Sequence, residues 1–221
     1  MTTMDYKGKV ASVVFLQGCN FRCPFCHNPE LVDVTGESTM KKEEILGYLN
    51  ENKDWIDAVV ISGGEPTLHK ELPEFLSQLK KIGILVKLQT NGTNPKMLSE
   101  LINRKLLDYI SMDVKAPIEK YELLAGAKLD ASSIQKSVEI IKKSGLEYSF
   151  HTTVAPELSL SDIKKIGEWL RGSKTFCIQQ FRPEKTLDVS YAEKKPHTKD
   201  ELEEMADAVR LYFGKVEVDG I

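Results

Sequence analysis

At 221 residues the chain is long enough to bury one sizeable core, and its 41% hydrophobic and 29% charged residues contain no biased tract, which excludes a disordered or fibrous protein. Thirty basic residues against 33 acidic ones leave a formal charge of −3. This balance supplies no electrostatic reason to expect nucleic acid or an anionic membrane as a partner, and neither is expected.

In chain order, the first apolar run is Val10–Leu16, preceded by Lys7 and Lys9 and followed by Gly18-Cys19. It superficially resembles a lipoprotein signal. At seven residues it lies at the bottom of the range for such a signal, and Val10, Val13 and Val14 suit a buried strand. Further strands are expected at Ala58–Ser62, Leu85–Gln89, Tyr109–Asp113, Tyr148–Val154 and Phe176–Phe181, short apolar runs of the kind buried on both faces. Amphipathic helical patterns alternate with them at Lys41–Asn52, Leu72–Ile82, Pro95–Lys105, Ser133–Ser144, Leu160–Arg171 and Lys199–Phe213. Asn94-Pro95 reads as an N-cap followed by proline, Ser161-Asp162 as a cap for the fifth helix, and Gly83, Gly145 and Gly214 as helix stops. Lys215–Val218 could add one more strand. Six β-then-α units predict an α/β fold with a parallel sheet, in one domain spanning residues 1–221, and six units fall short of the eight of a closed barrel. Functional groups are expected at the carboxyl ends of the strands, where the longest irregular stretches, Gly18–Met40 and Arg182–His197, also fall.

The thiols concentrate on that edge. Cys19, Cys23 and Cys26 are spaced C-x3-C-x2-C directly after the first strand, and Cys177 is left over inside the sixth. Three thiolates on one compact loop can each take one iron of a cubane cluster, leaving the fourth iron open. Cys23-Pro24-Phe25-Cys26-His27 also matches the C-x-x-C-H haem-attachment pattern, which leaves Cys19 unexplained. A zinc site could recruit His27 or Cys177 as a fourth ligand, in a chain with ample core of its own. A thioredoxin-like pair accounts for two of the three thiols.

The cysteine loop, with aromatic Phe25 before its last thiol, resembles the radical S-adenosylmethionine superfamily. Ser62-Gly63-Gly64-Glu65-Pro66, one βα unit later, resembles that superfamily's second signature. The resemblance covers essentially the whole chain and implies a partial (β/α)6 barrel. The stretch Gln17-Gly18-Cys19 to Asn28-Pro29-Glu30, with Thr90-Asn91-Gly92 and Met112-Asp113-Val114-Lys115, is similar to the activating enzymes of glycyl radical proteins, and most of all to the activator of anaerobic ribonucleoside-triphosphate reductase. Gln89 stands where pyruvate formate-lyase activators carry an acidic residue.

What this resemblance implies is specific. Cys19, Cys23 and Cys26 hold one 4Fe–4S cluster, and S-adenosylmethionine is reductively cleaved there to a 5′-deoxyadenosyl radical. Gly63, Gly64 and Glu65 receive the methionine ammonium, Ser62 is a further cofactor-binding residue, and Phe25 lies beside the adenine edge. Thr90, Asn91, Asp113 and Lys115 surround the ribose and the methionine carboxylate, with Val154 a further adenine contact. None of His27, His69, His151 and His197 is assigned a role. The implied partners are a glycyl radical enzyme and a low-potential electron donor such as flavodoxin or ferredoxin, in the cytoplasm. The alternatives are a radical enzyme for a small molecule, the activase of another glycyl radical enzyme such as pyruvate formate-lyase, or a non-enzymatic cluster- or zinc-binding module.

Overall fold

The computed structural model describes residues 2, 5–34 and 40–221, so part of the expected Gly18–Met40 stretch lies outside the described residues. Seven strands form one sheet in chain order: β1 Ala11–Leu16, β2 Ala58–Gly63, β3 Leu85–Thr90, β4 Tyr109–Asp113, β5 Glu147–Val154, β6 Ser173–Gln180 and β7 Phe213–Asp219. Each pairs in parallel with its successor. β1 and β7 are the edges of the sheet, so the barrel is partial and open. The helices are α1 Lys42–Glu51, α2 Leu72–Ile82, α3 Pro95–Asn103, α4 Tyr121–Ala125, α5 Ala131–Lys143, α6 Leu160–Leu170 and α7 Lys199–Val209.

Period-two alternation decides which way each strand residue faces. Val59, Ile61, Val86, Leu88, Ile110, Met112 and Phe150 belong to the main core, together with the helix stripe Leu72, Leu76 and Leu79 of α2. Alternate residues face inward. Near β1 these are apolar, and Ala11, Ala58 and Val60 make a small second cluster. Further along the sheet they become Lys87, Gln89, Ser111, Ser149, His151 and Gln179, so the inner row of β3 to β6 is polar where apolar runs were expected, although Lys87, Ser111 and Ser149 are themselves buried. Polar side chains in the inner row need water, a ligand or each other, and a concave open face provides that.

The N-terminal segment crosses this inner face. Thr2 pairs with Ala11, Lys87 Nζ donates to the carbonyl of Asp5 (2.6 Å), Tyr6 packs on Tyr109 and Lys7 meets Glu217 at 2.5 Å.

Three boundaries depart from expectation. The seventh unit is real: Val216 and Val218 pair with Phe176 and Ile178, so the last helix stops at Val209, and Gly214 lies within β7 instead of ending the helix. The fifth long helix, α6, is capped by Ser159, whose hydroxyl accepts from Asp162 N while the Asp162 carboxylate accepts from Ser159 N; Ser161-Asp162 is already inside it. The short α4 has no counterpart in the sequence pattern because five residues are too few to show a period.

Candidate active site

A cavity of about 230 Å³ opens at the carboxyl ends of β1 to β6, where the fold argument places functional groups. Cys19, Cys23 and Cys26 lie on its wall, and all are free thiols. Their loop is tied down mainly by backbone groups. Gly18 N and Cys19 N donate to the carbonyls of Leu31 and Val32 (2.8 and 2.9 Å), and Cys26 N donates to Cys23 O (3.0 Å). The Arg22 guanidinium donates to the carbonyls of Cys19 and Phe21 (2.7 and 2.9 Å) and to Asp33 Oδ1 (2.6 Å). Arg22 N donates to Ala125 O at the end of α4 (2.8 Å), while Phe21 and Tyr121 meet edge-on at 6.4 Å. Tyr121 in turn donates to the carbonyl of Asp113 (3.3 Å), so α4 joins the cysteine loop to the end of β4.

The Gly63-Gly64 turn is zipped to the same loop: Gly64 N donates to Leu16 O and Glu65 N to Gly18 O, both at 2.8 Å. No side chain fits in this seam. A Cβ on Gly63, at φ +119°, would stand 2.2 Å from Leu16 O, and one on Gly64 would stand 2.2 Å from Gly18 O. Both glycines therefore present bare backbone to the cavity, the arrangement that lets a ligand approach closely.

Glu65 is fully buried and its carboxylate is wholly engaged. Oε1 accepts from Thr67 N (3.0 Å), Thr67 Oγ1 (2.5 Å) and Thr90 Oγ1 (2.7 Å), and Oε2 accepts from Asn91 N (2.6 Å). Burial pushes its carboxyl pKa up against the pull of these donors. Its side chain brackets two loops and does not line the cavity. Asn91 Nδ2 donates to Asn20 Oδ1 (2.9 Å), which links the β3 turn to the cysteine loop.

Asp113 and Lys115 face the cavity as an ion pair, Nζ to Oδ2 2.7 Å, with Lys115 the more deeply buried and 6.0 Å above the Phe25 ring. Burial opposes both charges, yet each is retained by the other: Asp113 titrates below the usual carboxylate range and Lys115 above the usual lysine range. Burial raises the thiols of Cys19 and Cys23, the latter to about 12 despite the opposing Lys115 charge, so metal binding there must release protons. His151 also lines the cavity. Burial depresses its pKa to about 4, and its Nε2 contacts Ser149 Oγ at 2.6 Å, which in turn contacts Ser111 Oγ at 3.1 Å. His27, on the cavity wall, is held below its ordinary range by burial and by the charges of Arg182 and Lys115.

Of the residues singled out in the sequence, Phe25, Ser62, Gly63, Gly64, Thr90, Asn91, Asp113, Lys115 and the three cysteines converge on one cavity. Val154 does not: it is fully buried in the core at the end of β5. Cys177 is buried in β6, away from the other thiols on the cavity wall. Sequence reasoning passed over Ser111, His151, Thr153 and Gln179, whose signal was polar residues at alternate positions of strands read as apolar.

The donor chemistry fits an iron–sulfur cubane. Among the described residues, no three His, Cys, Asp or Glu side chains converge on a point where one metal ion could be held. The three thiols share a cavity all the same, as ligation to three different irons requires. The glycine seam leaves room beside them for a second ligand.

The chain belongs to the radical SAM superfamily, whose family description matches residues 13–170. It is thus an enzyme of that class, using a 4Fe–4S cluster and S-adenosylmethionine. Among its relatives, a Methanocaldococcus jannaschii protein provisionally named a glycyl-radical enzyme activating enzyme is 34% identical over 98% of this chain and 91% of its own length. The pyruvate formate-lyase-activating enzyme of Clostridium pasteurianum is 29% identical over 84% of this chain and 79% of its own. The crystal structure of Streptococcus suis SuiB bound to S-adenosylmethionine superposes with a TM-score of 0.77 at 17% identity, covering 96% of this chain and 51% of SuiB, and shows the shared fold. No helix among the described residues is long and apolar enough to cross a membrane.

Proposed function

We propose that this chain is a glycyl radical enzyme activase, a single-domain cytoplasmic protein whose partner is anaerobic ribonucleoside-triphosphate reductase and whose electron donor is a flavodoxin or ferredoxin. The cofactors, once bound, supply the difficult chemistry: reductive cleavage of S-adenosylmethionine to a 5′-deoxyadenosyl radical that takes a hydrogen atom from a backbone glycine. The protein's part is to bind, orient and keep out water. Cys19, Cys23 and Cys26 would hold the cluster. The bare backbone of Gly63 and Gly64 would face the methionine ammonium, with carbonyl acceptors close at hand. The Asp113–Lys115 pair offers one charge of each sign to a ligand that itself carries both.

One observation carries the substrate class. Once that ion pair is assigned to the cofactor, the inner wall from β2 to β6 presents Ser62, Gln89, Ser111, His151, Thr153 and Gln179 and no net charge. An anionic nucleotide would find no cation among these residues to meet it, whereas an uncharged peptide needs none. The two relatives point the same way, since both are named as activating enzymes, one of a glycyl-radical enzyme and the other of pyruvate formate-lyase. The choice of reductase rests on the Gln17–Glu30 resemblance. A pyruvate formate-lyase is the second reading, favoured by the Clostridium pasteurianum relative. Incubating the reduced, cluster-loaded protein anaerobically with each candidate and S-adenosylmethionine distinguishes them: a glycyl doublet in the electron paramagnetic resonance spectrum should grow only with the true partner. Deoxyadenosine formation with neither doublet would refute both.

A further inference from the structure

Gln89 and Gln179 sit three strands apart on the inner wall, on β3 and β6, with Ser111 and His151 on the strands between them. Each has its side-chain oxygen engaged: Ser62 Oγ donates to Gln89 Oε1 (2.5 Å) and Thr153 Oγ1 donates to Gln179 Oε1 (3.5 Å). Neither Nε2 amide has a partner among the described residues, and neither is buried without one, so both stay open to the cavity. A primary amide oriented by a neighbouring hydroxyl is a fixed donor, and fixed donors recognise carbonyl oxygens. In register Gln89 is level with Ser111, Ser149 and Thr175, four residues before Gln179. Three inter-strand steps of ~4.8 Å and that offset of ~13 Å along the strands put the two amides at most ~20 Å apart along the sheet, the length of about six residues of extended chain at ~3.3 Å each.

We infer that Gln89 and Gln179 are substrate-binding residues, gripping backbone carbonyls on either side of an extended, uncharged polypeptide segment so that its central residue lies over the cavity. The inference rests on the activase reading above and adds the residues that choose the segment. Beyond the Asp113–Lys115 pair assigned to the cofactor, the cavity wall between the two amides carries no charge to meet an ionic side chain. His151 stays neutral at physiological pH because burial disfavours its cation. Acidic residues beside the target glycine would lose water there and gain no cation.

The test uses the cluster-loaded protein, S-adenosylmethionine and dithionite with three capped pentapeptides centred on dideuterated glycine: Ac-AAGAA-NH2, Ac-ADGDA-NH2 and Ac-AKGKA-NH2. A deuterium atom passes from the glycine Cα to C5′ of 5′-deoxyadenosine, leaving the unpaired electron on the glycine, and mass spectrometry reads the labelled fraction of 5′-deoxyadenosine. The wild type should label at least tenfold more from the alanine peptide than from the aspartate peptide. Gln179→Glu should cut labelling from the alanine peptide at least tenfold and raise labelling from the lysine peptide above the wild-type value, a gain that misfolding cannot mimic; Gln89→Glu should do likewise. Equal labelling from the alanine and aspartate peptides by the wild type, or alanine-peptide labelling within twofold of wild type in both variants, would overturn the inference while the activase reading stands. Deoxyadenosine that carries no label from any peptide in the wild type would overturn the glycine reading, and this inference with it.

Discussion

Glu65→Gln separates two roles that the sequence alone could not. The resemblance has the Gly63-Gly64-Glu65 segment receive the methionine ammonium; the structure shows the Glu65 carboxylate buried beneath the turn and occupied by four donors. A glutamine can keep its oxygen toward Thr67 and Thr90, but its amide nitrogen then faces Asn91 N, donor against donor. One charge-assisted hydrogen bond is lost, worth about 1.5–3 kcal/mol, and a buried N–H is left unpaired at about 1–3 kcal/mol. Because those two costs overlap, a net destabilisation of about 3 kcal/mol is expected. For a chain of this size each kcal/mol lowers Tm by roughly 2–4 °C, so the metal-free variant should melt about 6–12 °C below the wild type. Thermal unfolding followed by circular dichroism, with urea unfolding as a second probe, gives the number. A variant that melts within about 1 °C of wild type, yet loses S-adenosylmethionine binding in its cluster-loaded form, would show that Glu65 contacts the cofactor and that the bracket account is mistaken.

Three further outcomes follow from the same geometry. Gly64→Ala drives a methyl into Gly18 O at 2.2 Å and must part the glycine turn from the cysteine loop, so iron and sulfide retained after anaerobic reconstitution should fall to less than half of the wild-type content. Cys177→Ala, a change inside the core of β6, should retain the full cluster absorbance, whereas Cys23→Ala should abolish it. His151 is neutral when folded, with its pKa depressed from 6.5 to about 4 by burial. Between those values only the unfolded chain takes up the proton. Stability should therefore fall by up to about 1.4 kcal/mol per pH unit as pH drops through this window, and His151→Gln should flatten that stretch of the urea-unfolding profile; an unchanged profile would place His151 in water.

Much of this site could be read from residues because its chemistry is carried by short local motifs. Three thiols within eight positions and a Gly-Gly turn one βα unit later announce themselves without any knowledge of packing. The strand and helix order was legible for the same reason, since each apolar run meets a helix stripe. Other features depend on which way a strand residue points and what lies opposite it. Ser111, Ser149 and His151 look like interruptions in apolar strands until the sheet curls and gathers them on one concave face. Glu65 sits in the second signature, and a motif gives no clue that its side chain turns away to bracket Thr67, Thr90 and Asn91. Val154 is singled out by its position at a strand end, and the alternation turns its side chain into the core. The short α4, which joins Arg22 to Asp113 through Ala125 and Tyr121, is too brief for periodicity to reveal.

The central claim is that this cavity holds a cluster and a cofactor in position for reductive cleavage. The most direct measurement is anaerobic: reconstitute the protein with iron and sulfide, reduce it, add S-adenosylmethionine, and quantify 5′-deoxyadenosine and methionine against time. Equal amounts of the two products, absent from Cys23→Ala, are predicted. An intact, reducible cluster that leaves S-adenosylmethionine uncleaved would contradict the account.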